Sequence, residues 1–137
     1  MLTTQDKGDI GQMAVATDLL KRGYKIALPY GENWSYDLIL DRGQGKLERV
    51  QIKFTESKND VVMVRCRSIS TTKGKVNKIK TYSTDTIDWM AVYDKTTDRC
   101  YYLSADELGP GEIPLRLAPA KSGQIKGIRM AEDYLEI

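Results

Sequence analysis

The chain has 137 residues, 41% of them hydrophobic and 29% charged, with a formal net charge of +2, a composition that fits one soluble domain with a modest core. It contains no histidine, which excludes Ser-His-Asp and Cys-His catalysis, histidine-metal nucleases and the two-histidine zinc finger. Its two cysteines, Cys66 and Cys100, lack a CxxC spacing and read as ordinary reduced thiols.

The polar start, Met1 to Lys7, lacks a signal peptide's apolar segment, and no apolar run approaches the ~20 residues needed to cross a bilayer. A cytoplasmic protein without a membrane partner is expected. Thr4 to Arg22 reads as a helix capped by Thr3 or Thr4 and stopped by Gly23, with Ile10, Met13, Ala14, Ala16, Leu19 and Leu20 as its apolar side. Tyr24 to Leu28 is a first strand, ended by Pro29 and Gly31. Tyr36 to Asp41 and Glu48 to Phe54 are the second and third, and the short Gly43-Gln44-Gly45-Lys46 turn between them predicts an antiparallel hairpin.

Val61 to Arg67 is β-branched and is expected to extend the sheet as a fourth strand. Ser68 to Asp85, rich in Ser, Thr, Lys and Asn, reads as a functional loop or two-stranded arm. Ile87 to Asp94 and Arg99 to Leu103 form a further hairpin, with Tyr82, Tyr93, Tyr101 and Tyr102 as sheet residues. Ser104-Ala105-Asp106-Glu107 matches a capping box before Gly109. Leu115 and Leu117 mark a brief extended piece, and Met130 to Leu135 a helical turn. Residues 1–137 are expected to form a single domain.

Successive strand side chains point to opposite faces, so Gln51 and Lys53 share one face and the hairpin can bring Asp37 alongside them. A carboxylate beside a lysine and a second oxygen donor can hold a hard cation and a phosphate, because Mg²⁺ takes oxygen ligands and commonly only one or two protein carboxylates. The bland alternative is a structural Asp37–Lys53 ion pair. Charges among apolar neighbours such as Leu38, Leu40, Val50 and Ile52 are costly unless paired or used, which favours use.

Charge is uneven along the chain. Between Lys58 and Tyr82, seven basic residues face Asp60 alone, so that segment carries +6 and the remainder −4. Such a block suits phosphate contacts, with a solvated hairpin as the plain alternative. Arg65, Arg67, Lys73, Lys75, Lys78 and Lys80 are the candidate DNA-backbone contacts, and the arginines with Ser70, Thr71, Thr72 and Asn77 the candidate base readers. Trp34 and Tyr36 read first as packing and second as stacking on bases, and Glu32 as an exposed loop acid.

The ordered set of Lys7 to Gln12, Gly31 to Asp37, Gln51-Ile52-Lys53 and Lys126 to Tyr134 resembles the PD-(D/E)xK nuclease superfamily, most closely the homing endonucleases encoded in group I introns. The likeness extends to Holliday junction resolvases. It implies an α/β (α+β) restriction-endonuclease-like core, a mixed central sheet with an N-terminal helix and a basic insertion. It implies a site-specific endonuclease for double-stranded DNA that uses Mg²⁺ or another divalent cation and works as a homo-oligomer, a dimer or tetramer. By that resemblance Asp37, Gln51 and the Ile52 carbonyl ligate the metal, Lys53 orients water or steadies the phosphate, and Gln12 completes the site.

Two positions depart from the pattern. Gln51 stands where most of the superfamily has Asp or Glu, although glutamine occurs in the intron-encoded group. Gln12 stands where these enzymes present a glutamate, so an inactive or weakened enzyme is implied. The alternatives are a resolvase-like structure-specific nuclease and a non-catalytic DNA-binding module.

Overall fold

Thr3 sets the first element. Its hydroxyl accepts from the Asp6 amide at 3.0 Å while the Asp6 carboxylate accepts from the Thr3 amide at 2.8 Å. This reciprocal capping box opens helix α1, Thr4–Lys21. Gly23, at φ +89°, turns the chain away in the left-handed conformation that glycine adopts most readily. The computed structural model describes residues 1–72 and 74–137, apart from the side chains of 69–72 and 76–78.

The strands follow as β1 (Lys25–Ala27), β2 (Leu38–Gly43), β3 (Lys46–Thr55), β4 (Val61–Arg65), β5 (Arg67–Thr72), β6 (Lys75–Thr81), β7 (Trp89–Asp94), β8 (Arg99–Ser104), β9 (Glu112–Arg116) and β10 (Arg129–Met130). The hairpin of β2 and β3 has the expected antiparallel register, Leu38 opposite Val50 and Leu40 opposite Glu48. Gln44 and Gly45 turn it with φ +55° and +80°, the sign that a two-residue primed turn requires.

Five strands form the main sheet in the order β1-β2-β3-β7-β8. β3 and β7 run parallel, and the other neighbours antiparallel. Alternation divides their side chains between two cores. On one face Leu38, Leu40, Val50, Ile52, Ala91, Cys100 and Tyr102 pack with Val15, Ala16 and Leu19 of α1. On the other, Met90, Val92, Tyr101 and Leu103 pack with Val62, Val64, Ile113 and Leu115. The main sheet thus lies between α1 and a small second sheet, and the mixed α+β restriction-endonuclease-like architecture is the expected one.

Several local expectations are corrected. Val61–Arg65 does not extend the main sheet: β2 and β7 already occupy both edges of β3, so β4 pairs with β9 in a separate sheet ordered β10-β9-β4 and stacks on the main sheet's face. The buried side of α1 is Gly11, Val15, Ala16 and Leu19, whereas Ile10, Met13 and Leu20 are exposed. Gly11 explains the rotation, since a Cβ there would already touch the Ile52 and Phe54 side chains at 3.5 and 3.6 Å; its missing side chain lets the helix settle on β3. Ser104 makes no side-chain cap, and Ala105–Glu107 is one 3₁₀ turn. The second 3₁₀ turn, Ala131–Tyr134, lies where a helical turn was expected.

Both cysteines are free and buried, and burial pushes the Cys100 thiol up to about 12, which leaves it protonated and inert. Asp94 is fully buried, yet it accepts from the Ser57 amide at 2.7 Å and the Thr97 hydroxyl at 2.8 Å, so it organises a turn and has no vacant role.

Candidate active site

The ladder between β2 and β3 ends where the site begins. Leu38, the first residue of β2, pairs with Val50 of β3, and just before it the Asp37 amide closes the pairing on the Val50 carbonyl at 2.8 Å. Beyond it, Ile52 presents an amide with no strand opposite. The Asp37 carboxylate takes that amide, Oδ2 accepting at 2.9 Å. A strand residue's N–H and C=O point to the same side, so the Ile52 carbonyl faces the same gap. There it accepts from Gln51 Nε2 at 3.3 Å.

Asp37, Gln51 and Ile52 therefore meet at one point. Gln51 turns its Nε2 to the Ile52 carbonyl; with the amide reversed, the set would be one carboxylate, one amide oxygen and one backbone carbonyl, the hard oxygen donors that a divalent cation takes. It carries only one negative charge, which makes it a weaker site than one with two carboxylates. Among the described residues no cluster of three or more His, Cys, Asp or Glu side chains could hold a metal.

Lys53 shares the face of Gln51 and lies within reach of the Asp37 charge, but no direct ion pair among the described residues joins them. Its Nζ instead lies over the ring of Tyr82, 5.1 Å from the centroid. Burial pushes the Lys53 ammonium below its usual range, with Asp37 opposing and the nearby Arg65 and Lys80 charges adding to the fall. Burial likewise pushes the Asp37 carboxyl above the usual carboxylate range, against the Ile52 amide and the charges of Lys53 and Lys80, which pull it down. A half-buried carboxylate and a half-buried ammonium that do not pair with each other are each suited to an outside partner of opposite charge.

Gln12 reaches the same place from α1. Its Nε2 donates to the Asp37 carbonyl at 3.0 Å, so it holds the backbone of Asp37 and leaves the carboxylate alone. Tyr36 packs partly against the core; Trp34 is 47% exposed, 5.5 Å from Tyr36 ring to ring, and donates from Nε1 to the Tyr30 carbonyl at 2.9 Å. Glu32 is exposed in the preceding loop.

The basic segment forms the two-stranded arm, β5 antiparallel to β6. Arg67 and Lys75 are exposed and Lys80 half-buried. Arg65 lies at the end of β4, paired with Glu112 across the second sheet at 3.5 Å, both exposed. The proposed roles of Ser70, Thr71, Thr72, Asn77 and Lys78 concern side chains outside the described residues, as is the whole of Lys73.

Tyr82, expected as a sheet residue, is not one, and sequence reasoning gave it no part in the site. It lies just past β6 and outside the strands, only 6% exposed, and touches the lysines of both hairpin and arm. Its signal was available: a lone aromatic closing a basic, otherwise apolar-poor segment.

No helix among the described residues is long and apolar enough to cross a membrane. No curated protein is similar enough to match the chain. The solved structure of a bacterial homing endonuclease, I-Ssp6803I, is similar over 97% of this chain and 88% of its own, with 26% sequence identity and a TM-score of 0.76. A family profile described as PD-(D/E)XK endonuclease matches residues 2–137. Nucleases of that family generally use divalent metal ions and act on DNA. Asp37 immediately before the second strand, a Gln-x-Lys on the third and a match over nearly the whole chain agree, and the chain belongs to the PD-(D/E)XK endonuclease family.

Proposed function

We propose that this chain is a site-specific endonuclease of the homing type that hydrolyses double-stranded DNA with Mg²⁺, residues 1–137 acting as a single domain in the cytoplasm. The observation that carries this reading is the gap between β2 and β3, where Asp37 and Gln51 both bond the Ile52 backbone beside Lys53, which forms no direct ion pair among the described residues. Asp37, Gln51 and Ile52 would hold the cation, which supplies charge neutralisation at the phosphate and makes a water acidic enough to attack. Lys53 steadies the phosphate or orients the water as a point charge. Gln12 fixes Asp37 through its backbone. Because each chain has one such site, cutting both strands takes at least a homodimer.

The direct test is supercoiled circular DNA incubated with the purified chain. Nicked and linear products in Mg²⁺ and none in EDTA are expected; no product in any divalent cation would refute the enzymatic reading. Cleavage of four-way junctions with intact linear duplex would favour a resolvase.

A second reading, a DNA-binding module with little catalysis, is favoured by one observation: amides at positions 12 and 51 leave Asp37 as the only acidic side chain among the proposed site residues. Both readings need the arm. Replacing Lys75 and Lys78 with alanine should weaken binding to all sequences alike and flatten the log–log salt dependence by roughly 0.9 per lost phosphate contact. A salt titration of duplex affinity for the two proteins checks this, and an unchanged slope would mean that the arm does not lie on DNA.

A further inference from the structure

Tyr82 links two parts of the molecule that the sequence keeps apart. Lys53, on β3, lies 5.1 Å from its ring centroid, and Lys80, at the root of the arm on β6, lies 5.6 Å from the same centroid. The ring is buried, 6% exposed, and belongs to the core cluster of Val62, Val64, Cys66 and Ile87. It is therefore fixed by packing, and it presents its electron-rich surface to both ammonium groups.

Two like charges gathered on one ring repel each other, and neither lysine has a carboxylate partner among the described ion pairs. Asp37 is close enough for Lys53 and Lys80 both to pull its carboxyl pKa down, but a single carboxylate does not balance two ammonium groups; Arg65, also near, is paired with Glu112. The arrangement has an excess of positive charge on the side of Asp37 where the arm departs. An anion there would relieve the repulsion and be bound by both.

Resting on the nuclease reading above and extending it, we propose that Lys80 joins Lys53 in seating DNA backbone phosphate beside Asp37, with Tyr82 as the positioning residue that holds both ammonium groups for it. The arm then does more than add affinity at a distance: its root supplies a cation to the site itself. Lys80 contacts substrate, whereas Tyr82 acts only through the two lysines.

The test uses the full chain with ¹³C-labelled lysine, followed by NMR at the side-chain methylene signals next to each ammonium, without metal. Inorganic phosphate is the first probe and a short DNA duplex the second. The Lys53 and Lys80 signals should move together on one saturation curve with each probe, while Lys25, on the far edge strand, stays still. Lys80→Ala should weaken phosphate binding about tenfold, as loss of one charge-assisted contact would. Tyr82→Leu should weaken it several-fold, within the range of roughly 2- to 30-fold that cation–π contacts span, and Tyr82→Phe, which keeps the ring, should restore binding to near wild type.

Movement of Lys53 alone, equal binding by the Phe and Leu variants, or an unaltered affinity in Lys80→Ala would overturn the proposal. So would a response to phosphate that the duplex does not reproduce. Binding is read without cleavage, so a chain that seats phosphate but cuts no DNA would refute the enzymatic reading and leave the seat standing.

Discussion

Asp37→Asn is expected to abolish cleavage while leaving the protein folded. The asparagine carbonyl can still accept from the Ile52 amide, so the end of the β2–β3 ladder survives. What disappears is the only negative charge in the donor set and one ligand oxygen, replaced by an NH₂ that repels a cation. Loss of several kcal/mol of charge stabilisation corresponds to a fall on the order of 10³-fold in rate. Single-turnover cleavage with Mg²⁺ checks it, and a wild-type rate would mean that Asp37 is not at the site.

The same residue sets a pH dependence. Because burial raises the Asp37 carboxyl in the folded protein, protons compete with the cation to a higher pH than at an ordinary carboxylate. Cleavage should therefore fall as pH drops through that raised value. Stability moves the opposite way: a carboxyl that binds its proton more tightly when folded contributes stability that is present at low pH and lost as pH rises through the folded value. Asp37→Asn should thus be at least as stable as wild type at neutral pH, the pattern of a site that gives up stability for function.

Gln12→Glu is expected to raise the cleavage rate by orders of magnitude. A carboxylate at position 12 adds a charge beside Asp37 and a further ligand for a hard cation, several kcal/mol in a partly buried setting. It also removes the donor that Gln12 gives to the Asp37 carbonyl and sets two carboxylates near each other. Without metal the variant should therefore lose stability, by about 1 kcal/mol for the hydrogen bond alone, and Mg²⁺ should recover it. Cleavage rates together with melting curves at several Mg²⁺ concentrations test both halves. Equal rates for the two proteins would remove position 12 from the mechanism.

The hairpin was legible in the sequence because turn and strands agree locally: two glycines flank the Gln44 turn, and alternation puts Gln51 and Lys53 on one face. Strand membership at longer range was not. Val61–Arg65 has the composition of any half-buried strand, and what sends it to β9 is the absence of a free edge on β3, a property of the whole topology. The orientation of α1 was also hidden, because hydrophobicity marks Ile10 and Leu20 as strongly as Leu19. The deciding residue is Gly11, which a hydrophobic pattern ignores.

At the site, the sequence supplied the side chains and their face, and the fold supplied the reason they meet. Asp37 caps an amide left without a strand partner, and no spacing rule states that. The role of Tyr82 was missed for a related reason. Its contacts with Lys53 and Lys80 join segments almost thirty residues apart, and only the return of the arm to the sheet brings them together.

A divalent cation is expected to bind where β2 meets β3 at Asp37, and manganese(II) broadening of backbone amide NMR signals tests this most directly. Paramagnetic broadening acts through space and needs neither DNA nor turnover. At low Mn²⁺ the amides of Asp37, Gln51, Ile52 and Lys53 should broaden first, those of β9 and β10 should stay sharp, and Asp37→Asn should remove the effect. Broadening that begins elsewhere, at Asp18 and Asp98 for example, or that persists unchanged in Asp37→Asn, would contradict the account.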